Sequence, residues 1–252
     1  MSDPVFVVGD IHGQIDQLDM ALESIAQDAC AGAPIVFVGD YIDRGPDSQA
    51  VLKTLMQGQA SGKDWTCLLG NHDDYMVRFL GPTPDLPKDN SRTRWFLPKI
   101  GGVETLASYG ARVNPSDSNV DIREKAMRAI PQEHVDWLAS LPRLYETADH
   151  IFAHAGIRPG VPLDQQDPED LIWIRGDFLD DPRDHGRLVV HGHTAIEMPE
   201  HRGNRVNVDG GAGFGRPLYP VLLLGNEAFL LGPFGRTRLD PLPQSDPGVI
   251  LT

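Results

Sequence analysis

Short apolar runs alternate with amphipathic stretches over the first third of the chain. Residues 5–9 are β-branched and aromatic, the mark of a buried strand. Residues 14–29 place Ile15, Leu18, Leu22 and Ile25 at helical spacing. Pro34 precedes a second apolar run at 35–39, and a helix follows at 47–56 with Val51, Leu52 and Leu55 apolar. A third strand covers 65–70 and a helix covers 73–80. This βαβαβα order predicts a largely parallel sheet covered by helices.

The pattern changes after residue 80. Residues 81–90 are rich in proline and polar side chains and read as a loop. Residues 92–109 and 121–141 read as helices without strand signals, so 81–143 is expected to be a mainly helical insertion beside the sheet. Strand signals return at 150–154, 188–190 and 204–209. Residues 221–224 and 228–231 flank Gly225-Asn226, a hairpin turn. Residues 233–252, rich in Pro and Asp, are expected to form an irregular tail. The expected class is α/β with antiparallel additions, α+β in character, and with two sheets rather than one. No repeat and no Ser/Gly linker divides the chain, so 1–252 is expected to be one domain.

Composition narrows the function. The 252 residues carry 22 Lys+Arg against 36 Asp+Glu, a net charge of −14. A general basic surface for nucleic acid is excluded, and an anionic membrane face is disfavoured. No apolar run approaches the roughly 20 residues of a spanning helix. The start, MSDPVFVVGD, lacks a basic segment and is not expected to be a signal peptide. Cys30 and Cys67, the two cysteines, form no CxxC pair. A reducing, cytoplasmic setting is the expectation.

Three strand ends share one form. VFVVGD-IHG ends at Asp10, IVFVGD-YIDRG at Asp40 and CLLGN-HD at Asn71. Each apolar run reaches a glycine and then a residue with a hard oxygen donor. Ligands of parallel sheets bind outside the carboxyl ends of the strands, which would bring these residues to one rim. Later, IFAHAG ends a strand at His154 and LVVHGHT ends one at His191 or His193. Any of these motifs alone reads as a turn, a surface ion pair or a core histidine. Together, Asp10, His12, Asp40, Asn71, His154 and His193 supply carboxylate, amide and imidazole donors suited to manganese, iron or zinc. Six donors are natural for two ions, which would bind a phosphoryl group and activate a water.

The residues Gly9-Asp10-Ile11-His12-Gly13, Gly39-Asp40-Tyr41-Ile42-Asp43-Arg44-Gly45 and Gly70-Asn71-His72-Asp73 resemble the signature motifs of the phosphoprotein phosphatases, of the bacterial and phage serine/threonine type. That family belongs to the calcineurin-like metallophosphoesterases. The resemblance implies a two-sheet β-sandwich flanked by helices. It implies a dinuclear centre with Asp10 and His12 on one ion, Asp40 bridging, and Asn71, His154 and His193 on the other. His72 would be the general acid, oriented by Asp43, while Arg44 and Arg175 would clamp phosphate oxygens. Manganese is the first expectation for the ions, with iron, zinc or nickel as alternatives. His191 would support the ligands from behind, and His134, His150, His185 and His201 need no function. Two departures, Asp73 where relatives often carry Glu and Gly176 after Arg175, are not expected to touch the ligand set.

The chemistry suits these roles. An alkoxide leaves poorly without a proton, and guanidinium groups match phosphate geometry. The expected reaction is hydrolysis of phosphoserine or phosphothreonine in a phosphoprotein or phosphopeptide. Small phosphate esters or nucleotides are further candidates. A symmetrical diadenosine tetraphosphate hydrolase is the alternative enzyme, disfavoured by Asp43 before Arg44. A binding module that keeps the metals without turnover is the alternative of another class. Lys88-Asp89-Asn90-Ser91-Arg92-Thr93-Arg94-Trp95-Phe96-Leu97-Pro98-Lys99 has four cations and one acid. It reads first as a solvated basic face with Trp95 and Phe96 in the core, and second as a grip on a further phosphate. Residues 164–184 carry eight acids and read as a solvated loop.

Overall fold

The computed structural model describes residues 3–84, 86–87, 91 and 93–242. Strands β1 (Val5–Val8), β2 (Ile35–Phe37) and β3 (Trp65–Cys67) run parallel, separated by helices α1 (Ile15–Ala26) and α2 (Ser48–Ala60). Helix α3 (Asn71–Leu80) follows β3, and α4 (Gly102–Ser108), α5 (Asn119–Ala129) and α6 (Gln132–Ser140) form the insertion. The chain continues through β4 (Leu144–Glu146), β5 (His150–Ala153), the single turns α7 (Asp170–Trp173) and α8 (Gly176–Leu179), β6 (Leu188–His191), β7 (Glu200–His201) and β8 (Arg205–Asn207). The last described elements are the meander β9 (Val221–Leu224), β10 (Glu227–Gly232) and β11 (Gly235–Leu239).

Two sheets result, in the orders β11-β10-β9-β1-β2-β3 and β4-β5-β6-β8-β7. The period of two in β1 and β2 divides their side chains between two cores. Val5, Val7 and Val36 face Phe152, Val190 and Val206 of the second sheet, while Phe6, Val8 and Phe37 face helices α1 to α6. A third cluster around Ile151, Val189 and Phe178 joins the outer face of the second sheet to α7 and α8. Strands β1-β2-β3 and β5-β6-β8 are the parallel parts of the two sheets. The strand-end motifs follow the carboxyl ends of these strands.

The two-sheet α/β architecture and the Gly225 hairpin match expectation, with Leu224 opposite Glu227. Several boundaries do not. Helix α3 starts at Asn71 rather than 73, so Asn71 and His72 lie in its first turn. The expected helix at 92–109 is a 3-10 turn, Arg94–Phe96, followed by the short α4. The expected helix at 121–141 breaks where Pro131 removes a donor and holds Ile130 extended (ψ 121°). Residues 233–252 are not wholly irregular, because β11 pairs along β10 from Ala228↔Leu239 to Gly232↔Gly235. Residues 243–252 lie outside the described residues. His134, His150 and His201 are buried, bonded to the Tyr109 hydroxyl and to the Gly225 and Asn226 carbonyls. Among the described residues, no helix is long and apolar enough to cross a membrane.

Close packing of the strand ends has a testable cost. A Cβ on Gly70 would stand 2.2 Å from both the backbone nitrogen and Oδ1 of Asp40. Gly70→Ala is expected to destabilise the fold by about 1–3 kcal/mol through overpacking. Denaturant unfolding of the metal-stripped protein measures it, and parental stability would contradict the contact.

Candidate metal centre

Asp10 and His12 follow β1, Asp40 and Asp43 follow β2, Asn71 and His72 open α3 after β3, His154 follows β5, and His193 follows β6. All eight are nearly or fully buried. The backbone there is bent in a costly way. His12 (φ 49°), Asp40 (56°), Asp43 (75°), Arg44 (65°) and His193 (65°) are the non-glycine residues at positive φ among the described residues. Each such residue costs about 1–3 kcal/mol, a strain that clusters at functional sites.

Three imidazoles have their ring protons assigned by fixed partners. His12 Nδ1 donates to the Ile42 carbonyl (2.8 Å), His154 Nδ1 to the Val38 carbonyl (2.9 Å), and His72 Nδ1 to Asp43 Oδ2 (2.7 Å). Their Nε2 atoms therefore present lone pairs. Burial pushes His12, His154 and His193 below the ordinary imidazole range, which keeps them neutral near pH 7.

The acceptors crowd one another. His154 Nε2 lies 2.9 Å from Asn71 Oδ1 and 3.4 Å from an Asp40 oxygen. None of these three atoms has a proton to offer the others. His193 Nδ1 lies 2.7 Å from the same Asn71 oxygen, and His193 Nε2 is buried with no partner. On the other side of Asp40, Arg44 donates to His12 Nε2 (2.8 Å) and to His72 Nε2 (3.2 Å). A cation thus already takes those lone pairs. A cluster of inward-facing acceptors fits divalent ions. Among the described residues, two groups have all their ligand atoms within 4.8 Å of one another, His12-Asp40-His72 and Asp40-His154-His193, with Asp40 in both.

Asp10 belongs to neither group. Its carboxylate accepts the His193 N–H at 3.2 Å, and burial together with Asp209 and Asp40 pushes it well above the usual carboxylate range. Asp209, missed in the sequence, is buried beside it and pushed up to about 6, chiefly by burial. Two carboxylates here need a proton or a cation between them. Burial raises Asp40 as well, but the imidazoles around it, His154 first, take up charge as the pH falls and hold Asp40 below the ordinary range.

His72 is the imidazole with a carboxylate behind it. Asp43, fully buried, also accepts from Trp95 Nε1 (2.9 Å) and Thr105 Oγ1 (2.6 Å), and its N–H is bonded to Ser48 Oγ and Thr105 Oγ1. Trp95 and Phe96 are core residues, as the first reading of the basic segment expected. Lys88, Asp89, Asn90 and Arg92 of that segment lie outside the described residues. Asp73 does touch the ligand set, contrary to expectation. It accepts from the N–H groups of Asp40 (2.8 Å), Tyr41 (3.0 Å) and Gly70 (3.0 Å), so it fixes the bend that carries Asp40.

His191 faces Phe178 and Arg205, behind the cluster, and His193 is the histidine of this pair that reaches it. Arg175, at the start of α8, bonds Thr194 Oγ1 (3.1 Å) and the His193 carbonyl (3.4 Å). The acids of 164–184 are partly paired, Glu169 with Arg78, and Asp170 and Asp177 with Arg158.

The cluster forms the floor of a cavity of about 970 Å³. Its walls include Arg44, Arg175, Arg94, Lys99, Tyr75, Trp173 and Phe214. Phe214 lies on Arg44, 4.8 Å from guanidinium carbon to ring centre. The Phe214 loop approaches closely, since a Cβ on Gly213 would meet His12 Cδ2 at 2.4 Å.

Residues 3–197 match the family model described as calcineurin-like phosphoesterase. A bis(5'-nucleosyl)-tetraphosphatase PrpE, asymmetrical, of Bacillus velezensis is 24% identical over 233 residues, 84% of this chain and 86% of that one. A crystal structure provisionally assigned as a diadenosine tetraphosphatase superposes with TM-score 0.62 at 20% identity, covering 91% of this chain and 93% of that one. A cold-active protein tyrosine phosphatase superposes with TM-score 0.63 at 19% identity, covering 96% and 80%. The two structural likenesses are likenesses of fold.

Proposed function

The chain belongs to the calcineurin-like phosphoesterase family and is a phosphoester hydrolase; on that premise we propose that it cleaves dinucleoside tetraphosphates at a centre of two divalent ions, manganese first among them. The ions would be held by Asp10, His12, Asp40, Asn71, His154 and His193. When bound, they would supply Lewis-acid charge to a phosphoryl oxygen and acidify a water for attack.

The chain's own groups do the rest. Arg44 and Arg175 line the cavity above the cluster and offer guanidinium forks to the phosphoryl oxygens. His72 Nε2 faces the same space and, in the charged ring, carries a proton in place of the bond it accepts from Arg44, which places it to protonate the leaving oxygen. Asp43 supports the charged ring from Nδ1, and Trp95 and Thr105 hold Asp43 in turn. The cavity carries this reading. About 970 Å³ with two further cations and three aromatic faces is more than one phosphorylated side chain needs. The asymmetrical tetraphosphatases that share most of the chain's length support it.

The His72–Asp43 pair favours a second reading, hydrolysis of phosphoserine or phosphothreonine. A poor alkoxide leaving group needs a positioned acid more than a polyphosphate does. Supplying manganese to the stripped protein with diadenosine tetraphosphate and a phosphothreonine peptide together separates the two. The expected result is AMP and ATP with little phosphate release. Preferential phosphate release from the peptide would overturn the first reading in favour of the second.

A further inference from the structure

The basic wall of the cavity has no role in the chemistry above. Arg94 and Lys99 both line the cavity and both are exposed, yet Trp95 and Phe96 between them are anchored. Trp95 is fully buried and bonded to Asp43, and Phe96 packs edge-on against Phe79 at 5.0 Å. The 3-10 turn that carries Arg94 is therefore fixed to the element that orients His72. Arg94 and Tyr75 line the same stretch of the cavity, and the Arg94 charge acts on the Tyr75 hydroxyl. Tyr75 meets His72 at 6.2 Å and Trp173 at 5.5 Å, and Trp173 meets His193 at 5.9 Å. One wall of rings thus runs from the cluster to Arg94.

Charge makes this wall unusual. The chain carries −14, yet Arg44, Arg94, Lys99 and Arg175 all line one cavity. Among the described residues none of the four forms an ion pair with a carboxylate, whereas nearby Arg78 and Arg158 are each bound by two. Among the described residues, Asp180 is the one lining carboxylate besides Asp40. Unneutralised cations in a cleft of an acidic protein concentrate an anion there.

We propose that Arg94 and Lys99 form a subsite for the phosphates next to the one attacked, so that the cavity selects polyphosphate chains over single phosphate groups. This rests on the phosphoester-hydrolase reading of the floor and specifies what lies beyond it. Arg44 and Arg175 take the attacked group. Arg94 and Lys99 take the following ones, which a phosphomonoester lacks.

Calorimetric titration of the manganese-loaded protein tests it, with free metal held constant and with phosphate, tripolyphosphate and ATP as probes. Tripolyphosphate is expected to bind at least tenfold tighter than phosphate. In the double variant Arg94→Ala, Lys99→Ala that preference falls at least tenfold, and Arg94→Lys with Lys99→Arg restores most of it. Equal affinities for phosphate and tripolyphosphate, or a preference unchanged in the double variant, would overturn the subsite. ATP binding tighter than tripolyphosphate adds a nucleoside contact, and equal binding confines recognition to the phosphates; both accord with the subsite. Tight tripolyphosphate binding without tetraphosphate turnover would leave the subsite standing and remove the proposed substrate. Turnover without the preference would do the reverse.

Discussion

Asparagine in place of His72 is expected to lower turnover by about 10²- to 10⁴-fold while the protein still binds two ions. The ring's Nδ1 lies 2.7 Å from Asp43, and its Nε2 opens toward Arg44 and the cavity. That is the placement of a proton donor with a carboxylate to stabilise its charged form. The loss is expected to depend on the leaving group. It is smallest for p-nitrophenyl phosphate and the tetraphosphate, whose leaving oxygens need little help, and largest for an alkyl phosphate. His72 also shares a donor group with His12 and Asp40, so ion stoichiometry must be measured beside the rate. Unchanged turnover would remove the acid role. Loss of one ion would make His72 a ligand instead.

Asp40→Ala is expected to have the larger effect. The Asp40 carboxylate lies 3.6 Å from His12 Nε2, 4.0 Å from His72 Nε2 and 3.4 Å from His154 Nε2, and it accepts the His72 N–H at 2.9 Å. It is the residue common to both donor groups. Without it, turnover should fall by about 10³-fold or more, the scale of losing several kcal/mol of ion-based stabilisation. A protein that binds ions when folded melts higher in their presence. Manganese should raise the melting temperature of the parent and leave that of Asp40→Ala nearly unchanged. An undiminished rise in the variant would mean that the ions bind elsewhere.

Much of the centre was legible because its chemistry follows directly on short apolar strands. Asp10, Asp40, Asn71, His154 and His193 each stand within two residues of a strand's apolar run or its glycine, so topology alone gathers them. What was not legible depends on residues distant in sequence or weak in pattern. Trp95 and Thr105 meet Asp43 across 52 and 62 residues, and nothing local to either marks the contact. Asp209 closes the alternating run 204–209 and belongs to none of the strand-end motifs. Only the closing of β8 against β6 brings it to Asp10. Asp73 read as a variable helix-start residue, because its work is done for the backbone of a loop 32 and 33 residues earlier. The edge strands β4 and β11 are half-exposed or exposed and lack the apolar alternation that reveals a strand. The long insertion helices failed where Pro131 and the Gly101-Gly102 pair interrupt them.

Anomalous diffraction at the manganese edge, from crystals of the stripped and reloaded protein, tests the central claim most directly. Two peaks are expected on either side of the Asp40 carboxylate, one reached by His12 and the other by Asn71, His154 and His193. A single peak, or peaks away from Asp40, would contradict the dinuclear centre and the assignment of roles built on it.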